Sequence, residues 1–329
     1  MRAAVITEPG GPEVLKIQEM PDPTFGAEEV LVAVHASALN RLDLLQRGGT
    51  YPVPFGVRAD IPGVEMAGVI EAVGERVQGW KPGDRVMALL SGMGHATKVV
   101  VHERMLMPVP TNLDLTQAAA IPEVFLTAYD AVFLQCGLEM GESLLIHAVG
   151  SGVGSAALQM AHAQSSRTFG TAGSAEKIAQ AKALGLDVGI NYKEADFAEV
   201  VERETGGKGV NVLIDVIGAP YWEQNMRSMA MKGRMIIVGA MGGATVESMD
   251  IGAISRKRLT VRGTLLRARP LEEKATLVQA FVQRIVPLLA NGTVKPIVDR
   301  VFPIEEIGEA HAYMETNANF GKIVLNIGG

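Results

Sequence analysis

Glycines alternate at the end of an apolar run in the middle of the chain. Residues 144–149 read Leu-Leu-Ile-His-Ala-Val, and Gly150, Gly152 and Gly154 follow with single residues between them. Glycines between a strand and a helix let the backbone approach a pyrophosphate, which the helix N-terminus attracts. The spacing is G-x-G-x-G, whereas the usual dinucleotide fingerprint is G-x-G-x-x-G. Dinucleotide binding is therefore one interpretation, and close packing of a helix on a strand is the other.

The residues after the next apolar run indicate which dinucleotide would fit. NAD-binding enzymes usually carry an acidic residue about 20 residues past the glycines, where it bonds the ribose 2′-hydroxyl. The positions 19 and 20 residues past Gly154 hold Gly173 and Ser174, and Lys177 follows. Small residues, a helix N-terminus and a lysine suit a 2′-phosphate, which a carboxylate would repel. We therefore expect NADPH, although an ordinary solvated helix position explains Lys177 equally well.

Polar side chains of the N-terminal third are concentrated between Ser37 and Tyr51. Asn40 and Asp43 in this segment have the spacing of one face of a helical turn. The segment is the main candidate for contact with a substrate. A capped surface turn with a packed tyrosine would give the same pattern, so the residues alone leave both interpretations open.

Other kinds of catalytic chemistry lack the residues that they require. Cys136 is the only cysteine, which excludes a multi-cysteine metal site, and we interpret it as a small buried hydrophobe. The six histidines form no H-x-x-x-H or H-E-x-x-H pair, so no metal is expected. Neither a G-x-S-x-G nucleophile elbow nor a G-x-x-x-x-G-K-S/T phosphate loop occurs. Hydride transfer from a nicotinamide fits, because it requires mainly orientation and exclusion of water from the protein.

The composition narrows the range of partners. The chain has 329 residues, 48% of them hydrophobic, which is enough to fill two cores. Its net charge is −6 and its pI is near 5.6, so no nucleic-acid or membrane partner is expected. The first residues read as a strand and a turn, and no apolar run approaches the ~20 residues of a membrane span. Together with the single cysteine, these features predict a cytoplasmic protein.

Two patterns divide the chain. Residues 2–110 are rich in Gly, Pro and short β-type runs, and an Ala-rich helical stretch that follows is interrupted at Pro122, where the missing N–H breaks a helix. Apolar runs then alternate with helical segments, which is typical of a doubly wound parallel sheet. The predicted strands are 144–147, 167–171, 188–191, 210–215 and 235–238, the predicted helices are 153–163, 175–184, 197–204 and 222–230, and a long helix over 271–290 precedes a strand, a helix and a closing strand.

Several stretches of the sequence carry a resemblance to a known family. They are His35–Arg41, Pro62–Gly68, Val73–Gly74, Trp80–Val86, Gln117–Glu123, Ser151–Gly154, Asn191–Lys193, Ala310–Glu315 and Gly321–Leu325. Together they resemble the medium-chain dehydrogenase/reductase superfamily over essentially the whole chain. Zinc alcohol dehydrogenases of this superfamily carry a cysteine where this chain has Asn40 and a histidine where it has Val64. The sequence is therefore most similar to the zinc-independent, zeta-crystallin-like quinone oxidoreductases, and among them to the branch that animals induce under tumour-suppressor control.

The resemblance implies an α/β fold with a Rossmann sheet inserted in a β-rich, GroES-like substrate domain. The Rossmann domain would span 122–262, and residues 1–121 and 263–329 would form the substrate domain. It implies a homodimer as well. Tyr51 would donate to a quinone or stack on it, and Asn40 and Asp43 would orient the acceptor. The residues implied to bind NADPH are Thr127, Gly152, Val153, Gly173, Ser174, Lys177, Tyr192, Gly239, Ala240, Met241, Leu265, Leu266 and Asn317.

The expected function is reduction of quinones by NADPH without zinc, and two alternatives remain open. One is a zinc-free reductase of the same superfamily that acts on an enoyl thioester or an alkenal. Basic residues could then bind the phosphates of a coenzyme A thioester, and Arg41, Arg47, Arg267 and Arg269 are candidates. The other alternative is a non-enzymatic NADPH-binding protein that acts through RNA or a protein partner. The acidic balance and the lack of basic patches with interleaved aromatics count against it.

Two substitutions test the predicted substrate segment. Replacing Tyr51 with Phe and Asn40 with Ala is expected to lower turnover, because both side chains are predicted to orient the acceptor, and to leave NADPH affinity largely intact. Steady-state kinetics and NADPH titration measure the two quantities. Unchanged turnover in both variants would remove these residues from the site.

Overall fold

The computed structural model describes residues 1–328. Its strands, in chain order, are β1 (Arg2–Ile6), β2 (Leu15–Glu19), β3 (Glu29–Ala38), β4 (Glu65–Val73), β5 (Arg85–Leu89), β6 (Lys98–His102), β7 (Leu106–Pro108), β8 (Ser143–Ile146), β9 (Arg167–Ala172), β10 (Val188–Asn191), β11 (Val210–Asp215), β12 (Met229–Ile237), β13 (Thr260–Gly263), β14 (Val298–Pro303) and β15 (Lys322–Asn326). Its α-helices are α1 (Arg41–Arg47), α2 (Leu115–Ala119), α3 (Pro122–Ala128), α4 (Gly152–Ala163), α5 (Ala175–Ala183), α6 (Phe197–Glu204), α7 (Trp222–Ser228), α8 (Ile251–Lys257), α9 (Leu271–Arg284), α10 (Val286–Ala290) and α11 (Ile307–Glu315). Across residues 1–328, none of these helices combines the length and the apolar character needed to cross a membrane.

The chain forms two compact units, which are described separately. Unit 2 comprises residues 127–265 with 293–295, and unit 1 comprises 1–126, 266–292 and the described residues from 296 onward. The predicted domain limits, 121/122 and 262/263, lie slightly before the limits of these units. The short piece 293–295, which joins unit 2, was not predicted, because its sequence carries no pattern of its own.

Unit 1 is built on a mainly antiparallel sheet in which β3 is central. The buried positions of β3 alternate along the strand, at Val30, Val32, Val34 and Ala36, as a period-two pattern requires. β3 pairs antiparallel with β4, β6 and β15. Since β15 comes from the C-terminal end of the chain, both ends of the sequence form one sheet, and residues far apart in sequence lie next to each other.

Unit 2 contains a six-stranded parallel sheet in the order β10-β9-β8-β11-β12-β13. The two central strands, β8 and β11, are mostly apolar and mostly buried, as central parallel strands are. Leu145, Phe169 and Leu213 lie in its core. The strand order reverses between β8 and β11, so the α/β doubly wound fold predicted from the alternation is confirmed.

Prolines decide where two helices begin or end. The predicted break at Pro122 is confirmed, since α2 ends at Ala119 and α3 begins with the proline. The single helix predicted over 271–290 was wrong, because α9 ends at Arg284 and α10 begins at Val286. Pro287 lies in the first turn of α10, and its missing N–H cannot continue a hydrogen-bonded helix through this point.

Candidate active site and cofactor-binding edge

The residues predicted to meet the substrate lie at the start of α1. Asn40 is the N-cap residue, and its backbone N–H donates to Oδ2 of Asp43 at 2.7 Å. The other carboxylate oxygen of Asp43 accepts from the N–H of Gly63 at 3.1 Å. Asp43 has no exposed surface. Both of its oxygens therefore hold the backbone, so the residue fixes the position of α1 and of the Gly63 turn.

Asp43 stays ionised although it is buried. Burial by itself raises the pKa of this carboxyl group. The lowering, mainly by His95, outweighs this effect, so the pKa of Asp43 lies below its usual value. Nε2 of His95 is 3.7 Å from Oδ2 of Asp43, and Nδ1 of His95 is 2.8 Å from Oγ of Ser37. The hydroxyl of Ser37 donates to the carbonyl of Glu65 at 2.7 Å, so this buried chain joins α1 to β3 and β4.

A buried ammonium group lies against the side chain of Asn40. Nζ of Lys322, in β15, is 2.7 Å from Oδ1 of Asn40 and 2.8 Å from Oε1 of Glu65, and it donates to the carbonyl of Leu39 at 2.5 Å. Nδ2 of Asn40 donates to the same Oε1 of Glu65 at 2.8 Å. Lys322 is 4% exposed and Glu65 is fully buried. The amide of Asn40 is thus held by a buried ion pair.

Glu123 carries a second buried carboxyl group next to this ion pair. It follows Pro122 at the start of α3, and its backbone N–H donates to Oε2 of Glu65 at 2.8 Å. Burial first, and then the negative charge of Glu65, raise the pKa of Glu123 to about 8. Its Oε2 atom is buried without a hydrogen-bond partner. At neutral pH this group is protonated and able to donate.

Tyr51 is half-buried and lies beside a buried arginine. The Cζ atom of Arg267 is 5.6 Å from the centroid of the Tyr51 ring, within the range of a cation–π contact. Burial first, and then the charge of Glu123, raise the pKa of the Tyr51 hydroxyl, which remains protonated at neutral pH. Tyr51, Glu123 and Arg267 influence one another electrostatically and are called the acceptor cluster below.

Sequence reasoning missed part of this site. Glu123 and Lys322 were noted only within stretches of family resemblance, and the ion pair of Lys322 with Glu65 joins residues from opposite ends of the chain. The signal for Glu123 was its place after a helix-breaking proline, at the first turn of a helix. No local signal pairs Lys322 with Glu65, because only the pairing of β15 with β3 brings the two close.

In unit 2, the predicted cofactor residues share one edge of the parallel sheet. Gly152 and Val153 follow β8, Gly173 and Ser174 follow β9, and Tyr192 follows β10. The remaining members follow β12 and β13 and are Gly239, Ala240, Met241 and Leu265. This is the carboxyl edge, where open α/β sheets bind their ligands near the reversal of strand order. Val216–Gly218, after β11, belong to the same edge and were not predicted.

The glycine turn after β8 has the form that a pyrophosphate requires. Ser151 caps α4, and its Oγ accepts from the N–H of Gly154 at 3.0 Å. A Cβ atom on Gly154 would lie 2.4 Å from the carbonyl oxygen of Ala148, so only glycine fits there. Gly152 and Val153 open the helix, and their N–H groups belong to its unsatisfied first turn. Gly154 thus serves close packing, which is one interpretation of the glycines, and the position of Gly152 at the N-terminus of α4 is compatible with the other.

A buried network of polar side chains holds together the strand ends at this edge. Nε2 of His147 is 2.7 Å from Oδ1 of Asn225, and Nδ1 of His147 is 3.1 Å from Oγ1 of Thr171. Nδ2 of Asn225 donates to Asp215 at 3.0 Å, and the other oxygen of Asp215 accepts from the N–H of Gly218 at 3.0 Å. Burial lowers the pKa of His147, which stays neutral. The network ties together the ends of β8, β9 and β11.

The two residues that follow β9, Gly173 and Ser174, are small, and neither has an acidic side chain. Ser174 caps α5 and accepts from the N–H of Lys177 at 3.3 Å. A Cβ atom on Gly173 would lie 2.7 Å from the hydroxyl of Tyr192, so the structure brings these two predicted residues together. Tyr192 is 45% exposed. Gly173, Ser174, Lys177 and Tyr192 therefore form one group beyond the end of β9.

The other residues predicted to bind the cofactor are divided between the two units. Thr127, in unit 2, has a buried Oγ1 atom without a partner, as expected of a hydroxyl that awaits a ligand. Met241 and Leu265 are 51% and 63% exposed. Leu266 and Asn317 belong to unit 1, where Leu266 is buried and Oδ1 of Asn317 accepts from Arg41 at 2.5 Å. The residues of the carboxyl edge therefore fit a dinucleotide.

Comparison with known proteins identifies the family. Residues 26–111 match the alcohol dehydrogenase GroES-like domain, and residues 152–283 match the zinc-binding dehydrogenase model. The quinone oxidoreductase of Rattus norvegicus is 32% identical over 333 aligned residues, which cover 99% of this chain and 97% of the relative. The chain belongs to the medium-chain dehydrogenase/reductase superfamily. It is accordingly an oxidoreductase that binds a nicotinamide cofactor.

Solved structures of the superfamily show the same fold with different activities. An NAD-dependent alcohol dehydrogenase is 34% identical with a TM-score of 0.88, and both chains are covered completely. The CurK enoyl reductase is 29% identical with a TM-score of 0.87, and 99% of each chain is covered. The GroES-like and Rossmann parts predicted from the sequence are confirmed, whereas these neighbours leave the substrate and the choice between NADH and NADPH open.

One of the matching models is named for zinc, but the side chains around Asn40 differ from a metal site. Within residues 1–328, no three His, Cys, Asp or Glu side chains are grouped so that they could hold a metal ion. Asn40 and Glu65 instead share the ammonium of Lys322. A fixed cation of the protein itself thus neutralises Glu65 in this member of the superfamily.

The ion pair of Lys322 and Glu65 is expected to matter for stability. Lys322→Met leaves the carboxylate of Glu65 buried without its counter-charge, which costs about 3–5 kcal/mol of unfolding free energy. Urea denaturation measures the loss, and Lys16→Met, at an exposed position, serves as the control. The double variant with Glu65→Gln is expected to recover part of the loss. A loss below about 1 kcal/mol in Lys322→Met would mean that the pair is solvated.

Glu123 is expected to make stability depend on pH. Its pKa is about 8 in the folded chain against 4.5 ordinarily, so between these values the folded state holds a proton that the unfolded state has lost. Stability from this group is therefore present at low pH and falls as the pH rises toward 8. Melting temperatures at about pH 6 and about pH 9 are expected to differ less for Glu123→Gln than for the parent chain. Glu273→Gln, at an exposed position, is the control, and an equal pH dependence in all three proteins would contradict the assignment.

Proposed function

We propose that the protein is a zinc-independent NADPH:quinone oxidoreductase. The observation that carries the proposal is the acceptor cluster, in which the ring and protonated phenol of Tyr51 lie beside the guanidinium of Arg267 and interact electrostatically with the protonated Glu123. Reduction of a quinone by a hydride needs a flat wall for the ring and one proton for the oxygen that becomes charged. Tyr51 offers the wall, and either its phenol or the carboxylic acid of Glu123 can supply that proton.

The residues have separate parts in this reaction. A bound nicotinamide supplies the hydride. Tyr51 orients the acceptor and donates to one of its oxygens. Asn40 and Asp43 act as orienting groups, since Asp43 holds α1 through backbone N–H groups and the Lys322 ion pair holds the amide of Asn40. The ammonium of Lys322 neutralises Glu65 in place of a metal, which supports a reaction without zinc.

NADPH is the proposed cofactor because of the side chains beyond β9. Gly173 and Ser174 present no carboxylate at the ribose 2′ position, and α5 begins there with its positive end. Lys177 and Tyr192 complete the group that would receive a 2′-phosphate. Gly152 and Val153 would receive the pyrophosphate, and Thr127, Gly239–Met241, Leu265, Leu266 and Asn317 would contact the nicotinamide half. A homodimer in the cytoplasm is the proposed form of the enzyme.

An enoyl thioester or alkenal reductase is the second candidate, because the CurK enoyl reductase has the same fold. To bind a coenzyme A thioester, such an enzyme would need basic side chains that contact the phosphates. Arg47, one of the four candidates, is buried and bonded to Glu315 and to the carbonyl of Gly10, so it is unsuited to this role. Arg41 donates to Oδ1 of Asn317, so this arginine too has a partner within the protein.

Steady-state oxidation of NADPH, with NADH in parallel, tests the proposal against an ortho-quinone, a para-quinone, an alkenal and a crotonyl thioester. Preferential turnover of a quinone with NADPH is expected, because the acceptor cluster suits a flat ring that needs a proton. Turnover of only the alkenal or the thioester would move the function to the enoyl reductases. Tight NADPH binding without turnover, together with RNA retained at physiological salt, would favour a non-enzymatic binding protein.

A matched pair of variants separates the cofactor from the acceptor in this assay. Lys177→Glu is expected to lower kcat/KM for NADPH about tenfold relative to NADH, since a carboxylate would repel the 2′-phosphate. Lys182→Glu makes the same charge change at an exposed position of α5 and is expected to leave the ratio unchanged. An equal ratio in both variants would place the 2′-phosphate elsewhere.

A further inference from the structure

Arg267 is a buried cation whose hydrogen bonds are incomplete. The residue is 3% exposed, and its Nε atom donates to the carbonyl of Ser91 at 2.8 Å. Its Nη1 and Nη2 atoms are buried without any hydrogen-bond partner. A guanidinium group has five donors, and buried donors of a charged group that find no acceptor are costly. Two donor nitrogens of the same side chain, which carry four N–H groups, are therefore kept free at a cost to the folded state.

The neighbouring acids do not take up these donors. Asp43 influences Arg267 through space, but both of its oxygens are bonded to backbone N–H groups. Glu123 also acts on Arg267 through space, and at neutral pH its carboxyl group is protonated. Burial lowers the pKa of Arg267, yet an arginine remains charged at any physiological pH. The guanidinium thus keeps its positive charge without a bonded counter-ion.

The cluster contains a complementary free atom. Oε2 of Glu123 is buried without a partner, so the acceptor cluster offers two free donor nitrogens and one free carboxyl oxygen. The ring of Tyr51 covers the guanidinium at 5.6 Å. In the sequence, Arg267 directly follows Leu265 and Leu266, which are proposed to contact the nicotinamide. A ligand with an oxygen atom on a flat conjugated ring would satisfy these groups together.

We infer that Arg267 binds the oxygen atom of the electron acceptor and stabilises the negative charge that develops on it. This inference rests on the proposed function. A bound reduced nicotinamide would supply the hydride, so that its carbon–hydrogen bond would break as the bond from hydrogen to the conjugated acceptor forms, and the nicotinamide would be oxidised. The electron pair of the π system moves to the acceptor oxygen, which becomes an oxyanion and then takes a proton from the acceptor cluster. The two free donor nitrogens of Arg267 bind this oxyanion more strongly than the neutral carbonyl.

The same donors predict a class of inhibitor. A flat aromatic carboxylate carries its negative oxygens permanently and matches the planar fork of a guanidinium. Benzoate is therefore expected to compete with the electron acceptor, and benzyl alcohol, which has the same ring without the charge, is expected to bind far more weakly.

Kinetics of Arg267 variants form the first part of the test. Arg267→Gln is expected to lower kcat/KM for the acceptor about 100-fold, with an unchanged dissociation constant for the nicotinamide cofactor. Arg267→Lys keeps the charge and loses the fork, so a smaller loss of about tenfold is expected. Arg104→Gln, at a surface arginine paired with exposed Glu272, is the control. A change below about twofold in both Arg267 variants would overturn the inference.

Binding of benzoate forms the second part and does not depend on turnover. Ligand-observed NMR measures benzoate on the parent chain, on Arg267→Lys and on Arg104→Gln, each loaded with cofactor and checked for an unchanged melting temperature. Benzoate is expected to bind the parent chain and the control, and to bind Arg267→Lys at least tenfold more weakly. Equal binding to all three, or none to the parent chain, would overturn the inference. If no acceptor is reduced but benzoate binding requires Arg267, the proposed function fails and the oxygen site stands.

Discussion

The buried ammonium of Lys322 is the contact on which the candidate active site depends. It lies within 2.8 Å of both Asn40 and Glu65, and it joins β15 to the segment between β3 and α1 and to β4. Glu65 in turn accepts from the backbone of Glu123 at the start of α3. Without a cation here, a fully buried carboxylate would have no counter-charge, which a folded protein tolerates poorly. Four elements are therefore positioned around one charge that is supplied from the far end of the sequence.

This arrangement gives the buried acids of unit 1 different protonation states. Asp43 lies beside His95 and accepts two backbone N–H groups, so it is ionised. Glu123 lies beside the negative Glu65 and accepts no hydrogen bond at Oε2, so it keeps its proton near neutrality. When two carboxyl groups lie in different environments, their pKa values differ. One can then serve as an ionised support and the other as a proton donor. The support holds α1, and the donor lies with Tyr51 and Arg267.

In unit 2 the candidate ligand-binding edge is formed mainly by the backbone. Its ligand edge is formed wherever a parallel strand ends, and the His147–Asn225–Asp215 network fixes three of these ends. A glycine at position 154 lets the start of α4 lie close to Ala148 and Val149 in the turn after β8, while Ser151 caps the helix. The topology therefore favours a ligand site at this edge, and the side chains after β9 are proposed to choose between the two forms of the nicotinamide cofactor.

The sequence by itself determined the α/β class, the order of strands and helices from β8 to β12 and the glycine turn, because these depend on local periodicity and on residues close together in the chain. It also predicted the break at Pro122, but not the break between α9 and α10. It did not predict α8 and β13. Tertiary structure alone decided that Asp43 supports the backbone, that Lys322 neutralises Glu65, and that Glu123 and Arg267 join Tyr51. The ammonium of Lys322 alone bonds to residues as far as 283 positions away in the sequence. Burial and partner charge set their chemistry, and neither is a property of the local sequence.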